Sequence, residues 1–272
     1  MAVSATQAGD MRFSVLGSGS KGNSVYIESG KTGILLDAGF SGKQLCSRLN
    51  STGKAIECVG GILLTHEHND HICGAGILSR RCKIPVFANE GTFRGGEKKM
   101  GRLHQREEFE TGEKFVFQDL EIRSFRTLHD TNDPVGYVIS DGQYTLGYCT
   151  DTGKVTHLMA ARLLNCDGLI LEFNHDPEML RQGPYPLFLQ QRVRSSHGHL
   201  ANDDAADFLG RLLNPRLQYI VLAHLSETNN LPGIAHEAAM KVKADSNSTF
   251  VVARQECPTT IMDLSLSAHH HK

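Results

Sequence analysis

The densest group of chemically reactive side chains lies in residues 66–71, which read HEHNDH and directly follow the apolar stretch CVGGILLT. At the end of a strand, side chains two residues apart point the same way, so His66 and His68 face one centre. Asp70 and His71, in the turn that follows, bend towards a second centre. Neutral imidazoles and a carboxylate at this density suit zinc or another borderline divalent ion. A solvated polar loop fits less well, because three histidines without a metal would repel one another at mildly acidic pH.

Three further candidate ligands each follow an apolar stretch of predicted strand. His129 follows RSFRTL, Asp151 follows YTLGYCT, and His224 follows YIVLA. Taken singly, each is better explained as a hydrogen-bonded residue of the core or surface. Together with residues 66–71 they form a coherent set of strand-end metal ligands.

Two more histidines are candidates for the chemistry itself, together with Asp70. His199 lies in SSHGHLAND just before a predicted helix, and a helix N-terminus beside histidines makes a good phosphate site. His175 follows the apolar stretch LEFN. We expect both to be catalytic residues, and His197 less so; surface or capping roles are the alternative.

Other polar residues near the strand ends have two interpretations each. Asp37, which ends ILLD, either fixes one imidazole tautomer or forms a turn before Gly39. Residues 17–23, GSGSKGN, precede a strand and not a helix, so they form no dinucleotide or P-loop. They make either a tight hairpin or a loop whose amides and hydroxyls approach the metals or a phosphate. The same choice, phosphate contact or polar turn, applies to Ser226, Asn229 and Asn230.

The first half of the chain reads as strands with short helices. RFSVLG, SVYIES and ILLDAG predict an antiparallel meander, followed by a helix capped by Ser41. ICGAGILSRRC predicts a helix, IPVFAN a strand, and residues 91–106 a short helix with an exposed loop. Two hairpins follow, with turns at Gln118-Asp119 and Asp141-Gly142.

The second half alternates helices and strands. The expected order is the helix KVTHLMAARLLN, the strand CDGLILEFN, a helix capped by Asn202 or Asp203, the strand LQYIVLAHLS, the helix GIAHEAAMKVKAD and the strand STFVVARQ. Two such halves predict an α/β fold with four layers, αββα, and a site between its two sheets. We expect one domain over residues 11–267, with residues 1–10 as an extension or leader. Residues 268–272 resemble the remnant of a histidine tag.

Composition sets wide limits. The net charge of −2 gives no overall attraction to nucleic acid, so such binding needs a local patch. Seven dispersed cysteines without a C-x-x-C pair argue against a disulfide framework and a thiolate zinc site. No apolar stretch reaches the roughly 20 residues that span a bilayer, and no signal peptide is evident, so we expect a cytoplasmic protein. The sequence does not indicate an oligomeric state.

Basic residues cluster in two places, and such runs are usually solvated faces, so they favour contact with DNA or RNA only modestly. Tryptophan is absent and aromatic residues make up 7% of the chain, so the composition indicates no platform for stacking bases. The two clusters are Arg80, Arg81, Lys83, Arg94, Lys98, Lys99 and Arg102, and then Arg181, Arg192 and Arg194.

The order T-H-x-H-x-D-H, a lone His, an Asp in TDTG and a late His resembles the metallo-β-lactamase superfamily over nearly the whole chain from Met11. Within it, GSGSKGNS, LLTHEHNDH, HDTNDPVGY, YCTDTG, LEFNHD, SSHGHLANDDAA and LAHLSETNN resemble the YycJ/WalJ family of DNA-processing metallohydrolases. The resemblance implies two divalent metal ions, which the donor types allow to be Zn, Mn or Fe. It assigns His66, His68, His129 and Asp151 to one ion, and Asp70, His71, His224 and a shared Asp151 to the other.

A water that bridges two ions roughly 3.5–4 Å apart has its pKa lowered towards ~7 and so supplies a hydroxide nucleophile. We therefore expect a dinuclear phosphodiesterase, and the resemblance implies a 5′-to-3′ exonuclease on double-stranded DNA. One alternative is an RNA-processing ribonuclease of the same fold, although the ~70 residues between Asp151 and His224 leave little room for a β-CASP domain. A small-molecule thioester or lactone hydrolase is another, and an aromatic pocket would favour it. A metal-binding adaptor without turnover is less consistent with Asp70, which hydrolysis needs more than metal capture does. A redox diiron protein of this fold needs a flavin partner, and the sequence does not suggest a flavin domain.

Overall fold

The structure is a computed structural model that describes residues 10–30, 32–243 and 246–266. These residues form two seven-stranded sheets. The first contains β1 (Arg12–Gly17), β2 (Ser24–Ser29), β3 (Thr32–Leu36), β4 (Gly61–Leu63), β5 (Val86–Ala88), β6 (Arg106–Glu108) and β14 (Met262–Asp263). The second contains β7 (Lys114–Phe117), β8 (Leu120–Arg126), β9 (Val135–Ser140), β10 (Thr145–Cys149), β11 (Gly168–Glu172), β12 (Tyr219–Ala223) and β13 (Thr249–Val252).

Nine α-helices occur within the described residues, besides a 3-10 turn at Ile56–Cys58. They are α1 (Gly42–Ser51), α2 (Asn69–Ile72), α3 (Ala75–Cys82), α4 (Glu90–Met100), α5 (His157–Leu163), α6 (Pro177–Gln182), α7 (Leu187–Val193), α8 (Asn202–Leu212) and α9 (Pro232–Met240). None of the helices in this part of the chain is long and apolar enough to cross a membrane.

Each sheet begins antiparallel and becomes parallel. In the first sheet β1, β2 and β3 form the predicted meander, and β3, β4, β5 and β6 then run parallel. In the second, the hairpins β7–β8 and β9–β10 precede the parallel set β10, β11, β12 and β13. The first hairpin turns at Gln118, whose φ is 55°. Because parallel strands end at the same edge, each sheet gathers several strand ends on one side.

The apolar residues divide into three cores, which define four layers. One core lies between the sheets and includes Phe13, Ile34, Tyr137 and Ile170. A second joins α1 to α4 to the outer face of the first sheet, and the third joins α5, α8 and α9 to the outer face of the second. Both faces of the central strands in each sheet are thus buried, as expected for parallel strands. The αββα prediction is confirmed.

The structure corrects the predicted cap of α8. The helix begins at Asn202, with Ala201 at the N-cap and no side-chain capping bond. Asn202 cannot cap because its amide is paired with that of Asn230, through bonds of 3.0 and 2.9 Å. Ser41, in contrast, caps α1 as predicted and accepts a hydrogen bond from the Gln44 amide.

Several elements differ from the expectations or were not predicted at all. The stretch predicted as one helix after residue 71 begins at Ala75, and Asn69–Ile72 form a separate helical turn. The helix predicted within residues 91–106 spans Glu90–Met100 and is followed by the edge strand β6. Helices α6 and α7 had no prediction, because Pro177, Pro184 and Pro186 interrupt any apolar period in this segment.

The terminal expectations lie largely outside the described residues. Of the predicted extension at 1–10 only Asp10 is described, and it accepts a hydrogen bond from the Gly30 amide. The proposed tag at 268–272 and the last residue of the proposed domain, residue 267, are not described. A single domain over residues 11–267 stays a prediction.

Candidate metal centre

The strand-end residues converge because their strands run in the same direction. Strands β3 and β4 of the first sheet are parallel and are followed by Asp37 and His66. Strands β8, β10, β11 and β12 of the second sheet also end at a common edge. They deliver His129, Asp151, Glu172 and His224, respectively. The carboxyl ends of parallel strands are where α/β folds bind their ligands.

Three of these residues leave their strands through a left-handed backbone conformation. Asp37, Asp151 and His224 have φ angles of 59°, 57° and 58°. This region is uncommon for residues other than glycine, costs about 1–3 kcal/mol, and persists where the surroundings enforce it. The three bends turn the side chains away from the sheet direction and into one buried cluster.

His66, His68 and His129 form the first group that could hold a metal ion. The Nδ1–H of His129 donates to the Gly198 carbonyl at 3.1 Å, so its Nε2 faces the group, 3.2 Å from His68 Nδ1. His66 Nδ1 lies 3.0 Å from the Thr65 hydroxyl, and its buried Nε2 has no partner among the described residues. The three rings thus present nitrogen lone pairs to one point.

Asp70, His71 and His224 form a second such group. His71 Nδ1 donates to Asp37 Oδ2 at 2.8 Å, which leaves its Nε2 3.5 Å from Asp70 Oδ2. His224 Nε2 lies 3.7 Å from the same oxygen and has no hydrogen-bond partner in the described chain. In both histidines a carboxylate holds Nδ1 and directs Nε2 to the group, as in most metal-ligating histidines, although His71 Nε2 also lies within hydrogen-bond distance of the Asn23 amide nitrogen.

Asp151 lies between the two groups. Its Oδ2 is 3.4 Å from His71 Nε2 and its Oδ1 is 3.8 Å from His129 Nε2. The side chain is buried, yet Oδ2 has no hydrogen-bond donor within the described residues. A buried carboxylate oxygen without a partner is costly, and a cation would satisfy it. The donor set of free imidazole nitrogens and carboxylate oxygens therefore fits divalent metal.

The ionisation of the cluster agrees with this assignment. Burial lowers the pKa of His66, His68 and His129, so these imidazoles are neutral, as ligation requires. Burial also opposes protonation of His224, but Asp151, Asp70 and Glu172 raise its pKa to about 10. That increase reports an excess of negative charge in the cluster.

Glu172, which sequence reasoning missed, is completely buried beneath the cluster. Its Oε1 accepts hydrogen bonds from His199 Nδ1 at 2.8 Å and His224 Nδ1 at 3.0 Å. Its Oε2 accepts two backbone amides, those of Thr152 and Leu200. Glu172 therefore fixes the tautomer of two histidines. The available signal was its position, since it ends an apolar strand as Asp37 and Asp151 do.

The glycine-rich loop at residues 17–23 supports the second group from the side. Asn23 is buried and its amide nitrogen lies 3.3 Å from Asp70 Oδ2 and 3.1 Å from His71 Nε2. The Ser18 hydroxyl donates to Asn23 and accepts from the His224 amide. The loop thus approaches the cluster, in accordance with the second of its two interpretations.

The other predicted histidines lie in different surroundings. His199 belongs to a further group that could hold a metal ion, with Asp151, Glu172 and His224, and it lines a cavity of about 170 Å³ together with His129. His175 is buried and belongs to no group of candidate metal ligands among the described residues. Its Nδ1 has no hydrogen-bond partner in the described residues. His197 is exposed. Catalytic roles for His199 and His175 stay predictions.

Of the three LSETNN residues, two line the cavity and one supports the fold. Ser226 and Asn229 face the cavity. Asn230 instead binds backbone carbonyls of Phe173 and Asn174. A contact with phosphate is therefore open to the first two residues, whereas Asn230 has a structural part.

Comparison with known proteins identifies the family. A model described as "Beta-lactamase superfamily domain" matches residues 32–225. Exodeoxyribonuclease WalJ of Streptococcus pneumoniae serotype 2 is 42% identical over 229 residues, which cover 83% of this chain and 85% of the relative. Exodeoxyribonuclease YycJ of Bacillus anthracis is 38% identical over 234 residues, 85% and 89% of the two chains.

Solved structures agree with the fold. The metallo-beta-lactamase fold protein YhfI from Bacillus subtilis superposes with a TM-score of 0.73 at 18% identity, covering 93% of this chain and 99% of that one. The family and the clustered donors together indicate that the chain binds divalent metal. The chain belongs to the beta-lactamase superfamily and, within it, to the YycJ/WalJ family of metallo-β-lactamase-fold proteins.

Proposed function

We propose that this protein is a metal-dependent exodeoxyribonuclease that digests double-stranded DNA in the 5′-to-3′ direction with two divalent ions. The observation that carries the proposal is the buried cluster in which free imidazole nitrogens and an unpartnered Asp151 oxygen converge between two sheets. The names of the relatives, exodeoxyribonucleases at 38–42% identity, support DNA as the substrate.

The residues divide into two ligand sets around Asp151. His66, His68 and His129 would hold one ion, and Asp70, His71 and His224 the other, with Asp151 shared. When bound, divalent ions of this kind act as Lewis acids on a phosphodiester and make water a stronger nucleophile. Zn, Mn and Fe all accept this donor set.

The side chains supply orientation and proton transfer. Asp70 Oδ2 lies between His71 Nε2 and His224 Nε2, where a carboxylate can accept a hydrogen bond from the attacking water and orient it. His199 gives its Nδ1–H to Glu172, so its Nε2 is available to exchange a proton with the leaving oxygen. His175 is buried and lies outside the ligand groups, so its proposed part is to position the neighbouring strand end.

The test is digestion of 5′-phosphorylated duplex DNA, single-stranded DNA and RNA by the metal-loaded protein and by Asp151→Ala. Asp141→Ala, in the turn at the opposite end of β10, is the control. We expect shortening of duplex DNA from the 5′ end, lost in Asp151→Ala and kept in Asp141→Ala. Digestion of RNA alone would favour the ribonuclease alternative, and no digestion of either polymer with metal bound would favour a small-molecule hydrolase.

A further inference from the structure

The helix α7 carries two large apolar side chains on the surface beside the metal cluster. Leu187 is 65% exposed and Phe188 is 72% exposed, so neither contributes to the cores. Scattered exposed apolar residues need no explanation, but adjacent ones at an active site do. Phe188 is the only exposed large aromatic residue within the described part of the chain.

The position of α7 is fixed relative to the cluster. Its residues Leu189, Arg192 and Val193 line the same cavity as His129 and His199. Arg192 forms an ion pair of 2.7 Å with Asp130, the residue that follows His129. Phe188 precedes Leu189 and lies one turn before Arg192, and side chains four residues apart share a helix face. Phe188 does not itself line the cavity, but it lies on the helix face that borders it.

The cavity itself has a polar lining that can bind a nucleotide backbone. Ser226, Asn174 and Asn229 face it, and the Ser226 hydroxyl accepts the Asn229 backbone amide, so its O–H is left to donate to a phosphate oxygen. Arg194 lies exposed just beyond α7 and forms no ion pair in the described chain. A polar recess that leads to the metal ligands is thus bordered by an apolar ridge and a free cation.

We propose that Phe188, with Leu187 beside it, forms a wedge that packs against the end of a DNA duplex and separates its terminal base pair as the 5′ nucleotide enters the cavity. This rests on the proposed function. The occupant follows from the position of the ridge: a second protein seated on it would close the cavity that leads to His129 and His199. The substrate is the partner that can cover the ridge while it uses the site.

The chemistry of the ridge suits this task. An aromatic face stacks on any base, and this contact does not depend on sequence. Apolar wedges inserted between base steps are a recurrent way to unstack a duplex. An exonuclease must repeat the separation at each nucleotide, so a sequence-tolerant contact is the appropriate one.

The experiment compares Phe188→Ala and Phe188→Tyr with the unaltered protein on two substrates. One is a blunt 5′-phosphorylated duplex, and the other is the same duplex with four unpaired nucleotides at the 5′ end. Val116→Ala, which removes an equally exposed apolar side chain from β7, is the matched control. Sedimentation velocity of each protein monitors the oligomeric state.

We expect Phe188→Ala to digest the blunt duplex about tenfold more slowly, and the unpaired end within about twofold of the unaltered rate. Phe188→Tyr keeps a stacking face and should retain both rates, as should Val116→Ala. The wedge would be overturned if Phe188→Ala digested the blunt duplex at the unaltered rate, if it lost activity equally on both substrates, or if its oligomeric state changed. In each of these cases DNA digestion by the unaltered protein would still support the proposed function. If the unaltered protein digests neither DNA, the proposed function and the wedge both fail.

Discussion

At the scale of single residues, the cluster depends on which nitrogen of each ring is already occupied. His71 gives Nδ1 to Asp37, His224 and His199 give Nδ1 to Glu172, and Gly198 holds Nδ1 of His129. Each bond fixes a tautomer and directs Nε2 to the cluster. The buried carboxylates are therefore as necessary to the site as the imidazoles that they orient.

Replacement of Asp37 by Asn tests this orientation directly. Asparagine tolerates the left-handed backbone at this position. Both oxygens of Asp37 accept hydrogen bonds, from Thr65 and His71, whereas an asparagine amide has only one acceptor atom. An NH2 group that faces His71 would favour the other His71 tautomer, with a proton on Nε2. We expect divalent metal affinity to fall by about 10–100-fold, measured by competition with a chelator. Asp141→Asn should leave the affinity unchanged; an unchanged affinity in Asp37→Asn would show that Asp37 does not orient His71.

His175 predicts a pH dependence of stability. Burial lowers its pKa from 6.5 to about 4, so between these values the unfolded chain binds a proton that the folded protein does not. The free energy of unfolding contributed by this group is present above pH 6.5 and is lost as the pH falls towards 4, by about 1.4 kcal/mol per unit.

His175→Gln should therefore lose less stability than the unaltered protein between pH 7 and pH 5, by about 2 kcal/mol in urea denaturation. His236→Gln, at an exposed position of α9, should follow the unaltered protein. Parallel losses in all three proteins would mean that His175 is protonated in the folded state.

At the scale of elements, the site depends on several strands that end at the same edge, and the sequence predicted these strand ends. The apolar stretches before His66, His129, Asp151 and His224 identified strands, and their order indicated one shared edge. Glu172 also ends an apolar strand, but the role that sets it apart, its hydrogen bonds to His199 and His224, joins residues 27 and 52 positions away in the sequence. A pattern within one strand carries no information about such distant contacts.

Helices α6 and α7 escaped for a different reason. Their segment contains three prolines and short apolar runs, and neither helix is long enough to establish a period. The exposure of Phe188 was therefore unpredictable, and the composition alone pointed away from a stacking surface. The predicted cap of α8 was wrong for a similar reason, because the pairing of Asn202 with Asn230 depends on the folded arrangement.

The close packing of the turn at Gly39 provides a prediction at this scale. A Cβ at Gly39 would overlap the carbonyl oxygen of Asp70, whose segment carries two of the three residues of the second ligand group. Gly39→Ala should lower the free energy of unfolding by about 1–3 kcal/mol and weaken metal binding, because the turn must shift. Gly233→Ala, where the added Cβ meets nothing within 4 Å, is the control and should not destabilise. Equal thermal stability of the two variants would contradict this packing.

At the scale of the whole molecule, the proposed metal centre spans the two sheets. One ligand group contains residues of both, since His66 and His68 follow β4 and His129 follows β8. Ligands that bind only the folded state stabilise it by about 4 kcal/mol at a thousandfold excess over Kd, which for a chain of this size corresponds to about 10 °C in Tm. Chelation should lower the Tm of the unaltered protein by about this amount and leave Asp151→Ala nearly unaffected. A Tm that does not respond to metal would contradict a site that bridges the sheets.

The proposed role of the cluster between the sheets is that of a dinuclear DNA exonuclease site. Its most direct test is a titration of the metal-free protein with Mn²⁺, in which bound metal and digestion of a 5′-phosphorylated duplex are measured in the same samples. We predict that digestion from the 5′ end rises as the second equivalent binds. Full activity with one equivalent would contradict the dinuclear site, and two bound equivalents without DNA digestion would contradict the function.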